Sequence, residues 1–194
     1  MRTTRTAKLI TAVILYLAIV SSANATVLID ENFESRVPGA RLAFDFGSNW
    51  LGTTGAFKVD NQSGFAASGT QYLLAPSRFG TGELQRYGWF DASAAFNARP
   101  AGENVVLASV SMYVPDVVES TYGGMWMFDQ MGASIAVIGV DMLTGHTLTS
   151  ATDGVSNIAA KLGQYNDIEL KADFSTGLIT YLFNDIVIGT RMMT

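Results

Sequence analysis

Apolar and polar residues alternate most cleanly from Tyr165 to Thr190, where Ile168, Leu170 and Ala172 interleave with Glu169, Lys171 and Asp173. A period of two marks a strand with one buried and one wet face. The run Asp173-Phe174-Ser175-Thr176-Gly177 then carries the two residue types that turn a chain. An Asx carboxylate bonds downstream amides, and glycine takes positive φ without a Cβ penalty. Positions 178–183 are rich in β-formers, and Asn184-Asp185 can serve as a two-residue hairpin turn into 186–190. This stretch predicts three antiparallel strands.

The same logic extends backwards. Positions 26–33, 55–60, 71–75, 86–94, 105–114, 124–130, 134–141 and 146–150 read as further strands. Of these, 105–114 is the strongest. Val106, Ala108, Val110, Met112 and Val114 share one face, while Leu107, Ser109, Ser111 and Tyr113 form a mixed face that suits a binding surface or a partly covered outer layer. The pattern Asp-x-x-Ser/Thr-Gly occurs at Asp60, Asp141 and Asp173 with irregular spacing. It reads as one hairpin turn used three times rather than as a solenoid repeat. The helix expected is short, 156–163, with Ser156 as N-cap and Gly163 as terminator.

The C-terminal pattern also carries a resemblance. Tyr165, Ile168, Leu170, Asp173, Thr176, Gly177, Tyr181 and Asn184 follow an order that resembles the closing hairpins of concanavalin A-like lectin/glucanase jelly rolls, including laminin-G-like domains. Trp is common in that family where Tyr165 stands, and Asn-Gly where Asn184-Asp185 stands. The opening Phe33-Glu34-Ser35, Pro38-Gly39 and a following Trp50 is similar to the start of many such secreted domains. The fold expected is therefore all-β, a jelly-roll sandwich of two antiparallel sheets with at most one or two short helical turns. Such domains usually close with a strand beside the first one, whereas this sequence stops just after a strand. Closure with fewer strands and a shortened coding sequence both remain open readings.

Composition narrows the setting. Arg2, Arg5 and Lys8 precede an apolar run over 9–20, and Ala23-Asn24-Ala25 fits a small-residue cleavage site. These three parts describe a secretory signal peptide over 1–25, leaving one domain over 26–194. The apolar run is shorter than the roughly 20 residues that span a bilayer, so no membrane span is expected after cleavage. The leader takes three of the twelve basic residues and no acid, so nine bases face seventeen acids in the remainder, a formal charge of −8. Such a balance disfavours nucleic acid as a partner. With no cysteine in the chain, a packed core rather than disulfides must stabilise it. The expected location is secreted, extracellular or periplasmic, and absence of cysteine suits a bacterial envelope protein.

Candidate chemistry is sparse. Glucanases of the resembled fold place Glu-x-Asp-x-x-Glu on one strand, and no such motif occurs. Asp167-Ile168-Glu169 comes nearest, but its strand face alternates in charge with Lys171 as a solvated face does. His146 is the single histidine and cannot build a histidine cluster. The enzyme reading is accordingly left open, leaning towards none. Oxygen-rich loops bearing Asp30, Glu34 and Asp60 are candidates for a structural calcium, with turn formation as the plainer explanation. Sugars stack their C–H faces on Trp and Tyr while neighbouring polar groups bond the hydroxyls. Trp89 with Tyr87, Trp126 with Asp129 and Gln130, and Tyr113 are the residues placed for that chemistry, against the alternative that both tryptophans are core. The favoured expectation is a non-catalytic carbohydrate-binding module whose partner is a glycan or cell-surface polysaccharide. A structural or adhesive envelope protein is the alternative, and an unusual polysaccharide-cleaving enzyme the third.

Overall fold

The computed structural model describes residues 30–41, 45–47, 50–52, 57–63, 66–74, 88–116 and 122–193. In chain order these form β1 (Trp50–Gly52), β2 (Lys58–Asp60), β3 (Tyr72–Leu74), β4 (Gly88–Phe90), α1 (Ser93–Asn97), β5 (Val105–Val114), β6 (Tyr122–Phe128), β7 (Ser134–Asp141), β8 (His146–Thr149), β9 (Gln164–Asp173), β10 (Leu178–Phe183) and β11 (Ile186–Met192). Every strand pairing among them is antiparallel. A four-stranded sheet runs β11-β10-β9-β5, a three-stranded sheet runs β6-β7-β8, and β1–β4 and β2–β3 are two-stranded ribbons. The described chain is all-β, with the two larger sheets packed as the layers of a sandwich.

The core lies between those layers and follows from alternation. Ile168, Leu170 and Ala172 on β9, Ile179, Tyr181 and Phe183 on β10, and Ala136, Ile138 and Val140 on β7 are each 0% exposed and form one apolar cluster. Burying a side chain of Val or Leu size contributes about 1.5–3 kcal/mol. Buried Tyr181 also carries a hydroxyl that needs a partner. It shares a 2.9 Å hydrogen bond with the Ser150 hydroxyl, whose oxygen accepts the Val137 amide at 3.0 Å. One phenol thus ties the four-stranded layer to the three-stranded one.

Asn166 is the other wholly buried polar residue of the cluster's surroundings. Its Oδ1 accepts from the Lys161 amide at 2.9 Å and from Asn184 Nδ2 at 3.1 Å, while its Nδ2 donates to the carbonyls of Lys161 and Gln164. Asn184 in turn sits at φ +48° and accepts the Asp167 amide at 3.0 Å. The two amides clamp the β10–β11 turn to the start of β9. Asn184 and Asp185, both at positive φ, form the two-residue hairpin turn that the sequence suggests.

The recurrent Asp turns form as expected where they are described. Asp141 Oδ1 accepts the Leu143 amide and Asp173 Oδ1 the Ser175 amide, each at 2.9 Å. Gly145 at φ +68° and Gly177 at φ +71° close the turns by donating to the Asp141 and Asp173 carbonyls at 2.8 Å. Asp129 builds a related turn that the motif search missed, because Gly132 follows it one position earlier. Its Oδ1 accepts the amides of Met131 and Ala133.

Three expectations are corrected. Positions 156–163 are not helical. Their amides donate outwards, Ser156 to the Ile188 carbonyl, Ile158 to Thr147 Oγ1 and Ala160 to the Gly145 carbonyl, so the segment lies extended against β8 and β11. Tertiary partners took the groups an isolated turn of helix would have used. A short helix forms instead at α1, where a strand was expected to run on to 94. Asp91 Oδ1 accepts the Ser93 amide and starts the turn, and the alanines that follow favour helix. In the first expected strand, 26–29 lie outside the described residues and Asp30 to Phe33 form a loop. There Glu31 accepts the Phe33 amide at 2.9 Å and pairs with Arg36, side-chain bonds that compete with a strand ladder. Around this loop a second cluster gathers Phe46 and Val59 with Phe33, Trp50 and Leu73.

Tyr181→Phe removes the interlayer hydrogen bond while keeping the ring, and should cost about 0.5–1.5 kcal/mol in urea unfolding; a variant as stable as the parent would show that the tether contributes nothing. Asp173 is held below the ordinary carboxylate range by the hydroxyl and then the amide of Ser175, and Glu34 by the amides of Gln71 and then Thr70. Both are lower in the folded chain than in the unfolded one, so their stabilisation is complete above the ordinary carboxylate range and is lost as pH falls through the lowered values. Asp173→Asn and Glu34→Gln should each flatten the acid limb of a stability–pH profile, and an acid limb unchanged in both would contradict this assignment.

Candidate functional site

The strand ladder decides which side chains of the three-stranded sheet face outwards. On β6 the positions opposite buried Ala136, Ile138 and Val140 are Met127, Met125 and Gly123, so Tyr122, Gly124 and Trp126 project from the other face. Their neighbours across β7 are Asp141, Gly139 and Val137, and β8 adds His146 beside Asp141 and Leu148 beside Gly139. This outward face carries an aromatic pair: the rings of Tyr122 and Trp126 lie 6.1 Å apart, tilted by 46°. Tyr122 and Phe128 are each 46% exposed, Leu148 is 41% exposed, and Trp126 is half-buried.

The rings flank a place where the backbones leave no room for side chains. A Cβ on Gly124 would stand 2.2 Å from the Ile138 carbonyl oxygen, and one on Gly139 would stand 2.2 Å from that of Gly123. Real Cβ atoms do not approach backbone so closely, so both positions require glycine for steric reasons alone. The glycine pair lets β6 and β7 close together. With Gly139 buried and the two rings packed against each other, the surface offered here is the aromatic pair itself.

Polar groups border the ring pair. Asp141 is committed by Oδ1 to the Leu143 amide and by Oδ2 to the Thr144 hydroxyl at 3.0 Å. His146 Nδ1 lies 2.8 Å from the Thr144 carbonyl, which can only accept, so Nδ1 carries the proton and Nε2 is the acceptor of the neutral ring. At the other end of β6, Asp129 holds its turn through Oδ1 and Gln130 is exposed at the tip.

The six residues expected to contact sugar separate into distinct places. Trp126, Asp129 and Gln130 stay together at one end of β6. Tyr113 does not join them. It stands on the outward face of the four-stranded sheet, across the core from Trp126, with its ring 5.5 Å from that of Tyr165 on β9. Burial first, then the nearby Tyr72 and Tyr113, push the Tyr165 phenol up. On the same face Ser111 donates to the Asp167 carboxylate, and Glu169 and Lys171 continue the row beyond it. Trp89 is in β4, its backbone paired with Leu51 of β1. Tyr87 and the Trp89 side chain lie outside the described residues.

The three carboxylates considered for calcium also stand apart in role. Glu34 accepts the amides of Thr70 and Gln71 at 2.7 Å and the Thr70 hydroxyl at 3.0 Å, which locks two loops together. Asp60 Oδ1 accepts the Asn61 amide at 2.8 Å, and its Oδ2 lies 3.7 Å from Lys58 Nζ. Asp30 is exposed. Among the described residues, no three of His, Asp or Glu are grouped as metal ligands.

Sequence reasoning missed Tyr122, Gly124, Gly139 and Leu148. A signal was present, since Tyr122, Gly124, Trp126 and Phe128 alternate with period two, but the strand was expected to start at 124 and Tyr122 fell outside it. Comparison with known proteins found no matching protein-family model, no matching curated protein and no matching solved structure.

Gly139→Ala forces a Cβ into backbone on β6 and should destabilise the fold by about 1–3 kcal/mol in urea unfolding, in the manner of overpacking. Gly132→Ala, where an added Cβ meets nothing within 4 Å but φ is +79°, separates backbone strain from steric collision. Equal stability of Gly139→Ala and the parent would contradict the close approach of β6 and β7.

Proposed function

We propose that the chain is an exported, non-catalytic carbohydrate-binding protein of jelly-roll type, and that it binds a glycan on the outward face of β6, β7 and β8. The observation that carries this reading is the partly exposed Tyr122–Trp126 ring pair on this face, with Asp141 and His146 beside it. A pyranose has one or two flat C–H faces and an equatorial rim of hydroxyls. Its flat face stacks on the exposed side of an aromatic pair, while the rim hydroxyls reach neighbouring polar groups. The imidazole Nε2 accepts from a hydroxyl, and a carboxylate oxygen, with two lone pairs, accepts from a sugar hydroxyl while keeping its turn bond.

The leader-like residues 1–25 support export, and the acidic balance of the chain supports a neutral rather than an anionic glycan. The row of Tyr113, Ser111, Asp167 and Glu169 on the opposite layer offers polar groups too. Its Asp167 already accepts from Ser111, and its one described ring pair belongs to two tyrosines in edge contact.

One observation favours a second reading. Met131, next to this face, is 84% exposed, and with Phe128 it lends the face an apolar margin suited to a protein partner. An adhesive or structural envelope role would use that margin.

A glycan array probed with the full-length, exported protein, with calcium and again with chelator, separates the two. Specific binding that falls at least tenfold in Trp126→Ala, with the far-ultraviolet dichroism of the parent retained, is the expected result. Loss with chelator would add a structural calcium to the reading. A blank array from folded protein would replace the lectin reading with the adhesive one, and binding indifferent to Trp126→Ala and Tyr122→Ala would remove this face from it.

A further inference from the structure

The inner face of the same β6 strand is built differently from the rest of the core. Branched aliphatic and aromatic side chains fill the middle of the sandwich, whereas Met112, Met125, Met127 and Met142 pack against it at the β5 and β6 margin. Four of the eight methionines in the chain meet there, and each is half-buried rather than sealed. The convergence is local. At the position a Cβ of Gly123 would take, Met112 Sδ lies 3.0 Å away and Met142 Cε 3.2 Å away. The sulfur of Met112 on β5 and the terminal methyl of Met142, bonded to its sulfur and coming from the β7–β8 turn, therefore reach one point above a residue with no side chain. Met125, two positions along the same face of β6, follows at roughly 6–7 Å of strand rise, within reach of a three-bond side chain.

We propose that Met112, Met142 and Met125 form a thioether site for a soft monovalent cation, Cu(I) or its analogue Ag(I). Thioether sulfur is a soft, uncharged donor, so it selects such ions over Ca²⁺, Mg²⁺ or Zn²⁺ and carries no charge to desolvate when half-buried. The chain has no cysteine to compete for the ion. Its single histidine is on the outward face of the sheet, so the inward thioethers are the soft donors gathered in one place. The formal charge of −5 favours cation approach. A gap-filling role asks only for volume, which Leu supplies almost as well as Met. A ligand role asks for sulfur.

The test is titration of the full-length protein with Ag(I) in chloride-free buffer, followed by mass spectrometry, with Cu(I) competition against bicinchoninate under anaerobic reducing conditions. One equivalent should bind and raise Tm as a ligand of the folded state does. Met112→Leu and Met142→Leu should each weaken binding at least tenfold, while Met131→Leu and Met192→Leu, at exposed methionines, should leave it unchanged. Should Met112→Leu fail to fold, Met142→Leu, on a turn, and Met125→Leu carry the comparison. No stoichiometric binding by folded protein would overturn the proposal. So would binding that survives all three inner substitutions, or that is lost with Met131 or Met192.

Discussion

Strand β9 is bonded on both sides and buried on one face, and the rest of the sandwich is arranged to satisfy that condition. It pairs with β5 over ten positions and with β10 over six. Its inner side chains Ile168, Leu170 and Ala172 need an apolar cover, which Ile138 and its neighbours on β7 supply. Because the side-chain period of a strand is two, a slip of one residue would move Glu169 and Lys171 into that cover and expel Ile168 and Leu170. The register of β9 therefore carries a large free-energy penalty for error. Once it is set, the outward or inward assignment of β5, β10 and, through the shared core, of β6 and β7 is set with it.

A sandwich of this kind must also place its polar backbone and its few buried polar side chains. Three devices do this. Aspartates at hairpin ends accept the amides that turns leave without partners, at Asp129, Asp141 and Asp173. The buried amide of Asn166 and the half-buried one of its neighbour Asn184 satisfy one another and the adjacent backbone. The Tyr181 hydroxyl crosses the core to Ser150 instead of ending in apolar surroundings. Each device is short-range in space, yet the last two join residues far apart in sequence.

Both faces of β6 owe their character to glycine. Gly124 faces Gly139 where the backbones come too close for a Cβ, and the Tyr122 and Trp126 side chains on either side of Gly124 pack on each other. Gly123, pointing inwards, leaves the space into which Met112 and Met142 extend. The Tyr-Gly-Gly-Met-Trp-Met-Phe segment thus divides aromatic rings and thioethers between two environments by alternation alone. A glycan ligand and a soft cation would approach the strand from opposite sides.

Much of the fold was legible because its signals are local. The strands Val105–Val114, Ser134–Asp141 and Leu178–Phe183 and the turns at Asp141, Asp173 and Asn184 follow from period-two alternation and turn chemistry that act within a few residues. The sequence by itself therefore determined the all-β class, the hairpin order and the buried faces of β9 and β10. Where neighbours in space competed with neighbours in sequence, it did not suffice. Positions 156–163 carry a helix-like N-cap and terminator, but Gly145, Thr147 and Ile188 offered their backbone better partners. Tyr113 and Trp126 looked equivalent as exposed aromatics until packing sent them to opposite layers. The pairing of Gly124 with Gly139, and the meeting of Met112 with Met142, depend on strand register and on which sheet covers which. Those are decided by burial summed over the whole core, a quantity that no short stretch of sequence contains.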